Sequence, residues 1–101
     1  MSVLITVKVP GDTELFVKSV AERGEEFLAF VEKSQKAGAI HHRFGVGDGF
    51  VLVVDEWETV EGFQAFFGGA EIQAFIPTVG GDTSVPPEIT VTQAISSADQ
   101  Y

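Results

Sequence analysis

Residues 39–57 read AIHHRFGVGDGFVLVVDEW, and the folding of this stretch decides how the rest of the chain is arranged. It holds both histidines, His41 and His42, with Arg43, the acidic pair Asp55 and Glu56 and the only tryptophan, Trp57. Gly45-Val46-Gly47-Asp48-Gly49 superficially resembles a glycine loop that cradles phosphate, but that motif needs a helix after it. Phe50-Val51-Leu52-Val53-Val54 is instead an apolar strand rich in β-branched residues, so the glycines serve a reversal. Asp48-Gly49 suits the positive φ angles of a two-residue type I′ turn. The expected hairpin sets Gly47 opposite Phe50, His42 opposite Asp55 and His41 opposite Glu56. His42, Phe44 and Val46 then share a face with Val51, Val53, Asp55 and Trp57. His41 and Arg43 share the other with Leu52, Val54 and Glu56.

Working outward, Val3, Ile5, Val7 and Val9 alternate with Leu4, Thr6 and Lys8, a strand pattern that Pro10-Gly11 ends. Asp12 is placed to cap a helix, with Glu14 in its first turn. From Thr13 to about Lys36, Phe16, Val20, Phe27 and Val31 recur at helical spacing, joined by Leu28 and Phe30. Gly24 marks a point of bending or breakage, and Gly38 a C-terminal cap. Beyond the hairpin, Thr59 caps a second helix whose apolar face is Phe63, Phe66 and Phe67. Gly68-Gly69 interrupts it, and Ala70 to Ile76 adds one or two turns that stop before Pro77. Thr78 to Pro87 reads as a loop. Ile89, Val91 and Gln93 form a last alternating strand, and residues 95–101 a polar tail.

The order β-α-β-β-α-β is the ferredoxin-like split arrangement, an α+β fold. One domain over residues 1–101 is expected, a four-stranded antiparallel sheet with helices on one face. The strands are apolar on both faces, so the uncovered face would expose a large apolar patch. A homodimer packed through that sheet face, a dimeric α/β barrel, resolves this.

Composition narrows the functional classes. Fifteen acids against six bases give a net charge of −9, which repels nucleic acid. No apolar run approaches the roughly 20 residues needed to cross a membrane, and Met1-Ser2-Val3-Leu4 has no features of a secretory leader. Without cysteine there is no disulfide and no thiol nucleophile. A soluble, cytoplasmic protein is expected. The chain also contains no asparagine.

Phe50-Val51-Leu52-Val53-Val54-Asp55-Glu56-Trp57-Glu58-Thr59, continuing through Glu61, Phe63 and Phe66, resembles the dimeric α/β-barrel superfamily, and within it the antibiotic-biosynthesis-monooxygenase-like branch. That branch carries an acidic residue two before a Trp at the end of the third strand, then a capping residue and an amphipathic helix. Asp55, Trp57 and Thr59 match those positions. Phe66 stands where the branch often has a histidine. The resemblance implies a cofactor-independent monooxygenase, or a cyclase or isomerase, acting on an apolar aromatic or polyketide-like substrate.

The candidate chemistry follows from the hairpin register. A carboxylate beside an imidazole orients it and favours proton abstraction, so His42 is the candidate general base and Asp55 its orienting partner. Trp57, Phe44, Phe63, Phe66 and Phe67 are the candidate lining of a small-molecule pocket. His41, Arg43 and Glu56 form a second candidate cluster, read first as a salt bridge in the dimer interface. No metal or cofactor is expected. His42 and Asp55 offer two ligands with no third at a ligand spacing, and beyond one axial histidine no feature calls for haem. The other reading is a non-catalytic homodimer that binds a small molecule or another protein. A deep pocket at His42 separates the two, since a core filled by phenylalanines would leave a substrate no room.

Overall fold

A computed structural model describes all 101 residues. Four strands, β1 (Val3–Pro10), β2 (Ala39–Val46), β3 (Phe50–Trp57) and β4 (Glu88–Gln93), form one antiparallel sheet in the order β2-β3-β1-β4. Four helices, α1 (Thr13–Glu22), α2 (Gly24–Lys36), α3 (Val60–Phe67) and α4 (Ala70–Phe75), lie between the strands in sequence. This is the expected ferredoxin-like arrangement. Ile5, Val7 and Trp57 from the sheet are buried against Phe63 of α3, and Val51 against Phe16 of α1 and Phe75 of α4. The opposite sheet face keeps Leu4 and Val54 exposed. No helix is long and apolar enough to cross a membrane.

Local signals act where they were read. The Asp12 carboxylate accepts from the Leu15 N–H at 3.1 Å and the Thr59 hydroxyl from the Gly62 N–H at 3.0 Å, so each caps its helix. The hairpin register pairs His42 with Asp55 and His41 with Glu56, as the two-residue loop requires. A register shift between Ala39 and His41 brings Ala39 opposite Trp57. That bulge returns Ala39 to the face of His42 and re-aims the start of the strand.

Two local expectations change, and the break marked at Gly24 falls at the residue before it. The turn is not type I′: Gly49 alone has a positive φ, 79°, and Asp48 does not. This is the φ pattern of a type II turn, which needs glycine only at its second central position. The Gly49 carbonyl accepts from the Gly11 N–H at 3.0 Å, which holds the tip against the end of β1. The first helical stretch divides at Arg23, whose φ of −116° and ψ of 33° lie outside helical geometry. The chain also continues past α4 as a 3-10 helix, Ile76–Val79. Pro77 fits there because the first helical N–H groups have no partner to lose.

The 3-10 helix ends at Gly80, which has φ 103° and crosses the start of α1. A β-carbon on Gly80 would lie 2.5 Å from the Asp12 carbonyl oxygen, and one on Gly11 would lie 2.1 Å from the Gly80 oxygen. Gly80→Ala therefore meets left-handed strain and a backbone collision together, and should lower the unfolding free energy by about 2 kcal/mol or more. A urea midpoint equal to that of the parent protein would show that this crossing does not hold the sheet to the helices.

Candidate functional site

The helices do not close onto the sheet everywhere. A cavity of about 390 Å³ lies between them, and members of both buried clusters line it. Its walls are mainly apolar, with many aromatic rings. Phe16, Phe27, Phe44 and Phe75 meet edge to face, with ring centroids 4.9 to 6.0 Å apart. Edge-to-face contact brings the positive rim of one ring to the negative face of the next, which holds such a wall in defined rotamers. Trp57, Phe63, Phe66 and Phe67 supply another part of the lining.

The polar part of the wall centres on Asp55. Alternation along β3 turns this carboxylate to the helix-covered face between Val53 and Trp57, where it is only 8 % exposed. Both of its oxygens are engaged. Oδ1 lies 2.7 Å from Nδ1 of His42, and Oδ2 accepts from the Trp57 indole N–H at 3.0 Å. A buried carboxylate left bare would be costly, and the two donors offset that cost. An ionised carboxylate can only accept, so Nδ1 carries the proton and Nε2 of a neutral His42 keeps its lone pair. The imidazole also lies edge-on to Phe44, 4.5 Å between centroids, and its side chain is 32 % exposed.

His42, Asp55, Trp57, Phe44, Phe63, Phe66 and Phe67 thus all border one cavity. The second cluster does not assemble within the chain. His41 and Glu56 face away on the open side of the sheet, and Glu56 accepts from the Ser2 hydroxyl rather than pairing with Arg43. Arg43, paired with Val54, belongs to that open face by register, and part of the residue also borders the cavity. The sequence places Phe16, Phe27 and Phe30 on the apolar face of a helix and singles out neither Phe75 nor Ser34, yet all five border the cavity. Their helical periodicity was a signal for an inward face, and it carried nothing about the space beneath. No group of three or more His, Asp or Glu side chains converges to hold a metal.

No protein-family model matches the sequence, and no curated protein does. Solved structures match it over nearly its whole length. SnoaB, a cofactor-independent oxygenase from Streptomyces nogalater, is 13% identical and superposes with a TM-score of 0.64, covering 98% of each chain. A protein described as an antibiotic biosynthesis monooxygenase is 10% identical with a TM-score of 0.60, over 93% of this chain and 99% of its own. A dimeric ferredoxin-like protein from an uncultured marine organism is 18% identical with a TM-score of 0.63, over 99% of this chain and 93% of its own. The chain has the fold of the antibiotic-biosynthesis-monooxygenase-like proteins. Within that fold its Asp55 and Trp57, two apart on β3, are joined by a hydrogen bond, and the helix position where the branch often has histidine is Phe66 in the cavity wall.

Proposed function

We propose that the chain is a small enzyme in which His42 acts as general base on an uncharged, apolar aromatic substrate held in the cavity. The observation that carries this reading is the bonding of Asp55. With Nδ1 of His42 and the Trp57 indole on its two oxygens, the carboxylate leaves Nε2 of His42 free to take a proton. When it does, the imidazolium is stabilised by the adjacent carboxylate, and the apolar walls favour a substrate whose new negative charge is spread over a ring system. A net charge of −9 disfavours an anionic substrate before it arrives. Proton abstraction is a common first step for oxygenation without a cofactor, for cyclisation and for isomerisation. The fold's cofactor-independent oxygenase supports the first of these.

Adding a neutral tricyclic carbon acid such as anthrone should shift the ring-proton NMR signals of His42 and leave those of His41, on the opposite sheet face, in place. Equal shifts at both histidines, or none at either, would count against a site at His42.

The open sheet face supports a homodimer. Leu4 and Val54 are exposed there beside Arg43, which has no ion-pair partner within the chain. The dimeric ferredoxin-like neighbour fits that reading. Val54→Lys places a charge at the centre of the patch and should convert the protein to monomer in light scattering. A parent protein that is already monomeric at micromolar concentration would end the dimer proposal while leaving the cavity reading intact.

A further inference from the structure

Helix α2 covers the cavity and touches the core through two half-buried rings, Phe27 and Phe30. Of its thirteen residues only Ser34, near its C-terminal end, is fully buried. Phe27, Phe30 and Val31 line the cavity, and Leu28 lines it while remaining 64 % exposed, so the cavity meets solvent at this part of the helix.

The two ends of this helix are held differently. At its C-terminal end the Gly38 carbonyl accepts from the Glu58 N–H at 2.9 Å. The Ala37 oxygen is pressed so closely on Gly62 that a β-carbon there would sit 2.3 Å from it. Backbone meets backbone at this end, and it is fixed. At the N-terminal end the chain breaks at Arg23, no side chain caps the first turn, and the space around Gly24 is open.

Side chains alone join the helix and its N-terminal elbow to the facing wall. Arg23 donates to the carbonyl and the hydroxyl oxygen of Thr78, at 3.2 and 3.1 Å, and its guanidinium lies over the Phe75 ring at 4.8 Å. Glu26, in the first turn of α2, holds the same guanidinium at 2.7 and 2.9 Å. That side-chain hydrogen bond keeps the Glu26 carboxyl below its ordinary pKa, and therefore ionised. Lys33 pairs with Glu71 of α4. Exposed contacts of this kind are individually weak, so they break and re-form readily.

We propose that α2 is a lid on the cavity, anchored at Gly38, flexing at Gly24 and latched by Glu26 to the Arg23 guanidinium that Thr78 holds. The proposal rests on the cavity being a ligand site and adds how that ligand enters. Raising the N-terminal half of α2 parts Phe27 from Phe75, whose centroids are 5.2 Å apart, and widens the opening beside Leu28. The movement also frees Phe27 from Phe44 of β2, 5.9 Å away, while the bond between His42 and Asp55 involves no atom of α2. Opening of a helix held by few buried contacts belongs to the low-stability local motions through which many sites load and unload.

The absence of cysteine makes the test direct. A Glu26→Cys, Thr78→Cys protein carries the only two thiols in the chain, and a short bismaleimide with a cleavable centre bridges the N-terminal half of the lid to the wall, where both residues meet Arg23. Uptake of the neutral fluorophore N-phenyl-1-naphthylamine, followed by stopped flow, should slow by about tenfold or more when bridged and recover on cleavage. Arg23→Gln should speed uptake and release alike by roughly three- to tenfold, with the dissociation constant nearly unchanged. Its amide exchange over residues 25–31 should also rise selectively. Uptake at the same rate with the bridge in place, or Arg23→Gln exchange and kinetics equal to the parent, overturns the lid. If the fluorophore does not bind the parent protein, the ligand-site reading fails with it. Amide exchange then decides the lid alone, and protection over residues 25–31 equal to that of α1 rejects it.

Discussion

Asp55→Asn is expected to slow His42-dependent proton abstraction by about two to four orders of magnitude while leaving the fold standing. The reason is the direction of two hydrogen bonds. The Trp57 indole can only donate, so residue 55 must present an acceptor to it. An asparagine satisfies this by turning its carbonyl oxygen to Trp57 and its NH₂ to His42. Nδ1 of His42 must then accept, which moves the ring proton to Nε2, the nitrogen assigned to the substrate. The reverse amide orientation would set NH₂ against the indole N–H. Every buried polar atom keeps a partner, so the cost in stability is the difference between charge-assisted and neutral bonds, about 1 kcal/mol. Deuterium exchange at the acidic carbon of anthrone measures the rate, and long-range nitrogen–proton NMR of His42 reads the tautomer. A variant that keeps the parent rate, or keeps a lone pair on Nε2, would refute the assignment of His42 as base.

Trp57→Ala should bring the largest loss of stability of any single substitution in the chain. The indole is 1 % exposed and packs against Ile5, Val7 and Phe63 in one buried cluster. It meets Phe63 edge-on at 5.6 Å and Phe66 at 5.7 Å. Emptying such a site costs about 3–5 kcal/mol. Removing the indole N–H also leaves Oδ2 of Asp55 bare, worth about 1–3 kcal/mol more. Against a total of about 5–15 kcal/mol for a domain of ordinary stability, the variant stands at the edge of unfolding. Urea unfolding followed by far-ultraviolet circular dichroism should show the transition moved to low denaturant or lost. Trp57→Phe retains most of the buried area and deletes only the donor, so it should fall between the two. An alanine variant as stable as the parent would mean that the tryptophan is not the keystone of this cluster.

The parts of the fold legible in the sequence are those set by short-range rules. Alternation along Val3, Ile5, Val7 and Val9 marks a strand because successive side chains leave the pleat on opposite sides. Asp12 and Thr59 mark helix starts because free N–H groups three residues on need an acceptor. The pairing of His42 with Asp55 is legible because a two-residue loop sets parity, and parity survives the change of turn type at Gly49. Those rules, applied in order along the chain, determine the ferredoxin-like sheet and the face on which His42 sits.

Tertiary structure alone decided the rest. Phe16, Phe27, Phe30 and Phe75 have helical periodicity whether they fill a core or border a void. Periodicity says which face turns inward and nothing about the distance to the layer opposite. That distance depends on the break at Arg23, on the Gly80 crossing and on the closeness of Ala37 to Gly62, contacts between residues far apart in the chain. The bond from Trp57 to Asp55 likewise depends on how the indole is turned by Phe63 and Phe66. Glu56 meets Ser2 rather than Arg43 because β1 lies beside β3 and brings the N-terminal residues to that edge. The sequence by itself determined the elements, their order and the register of the hairpin. Packing determined that a cavity lies over Asp55, because the separation of two apolar layers is a property of the whole assembly of helices and sheet.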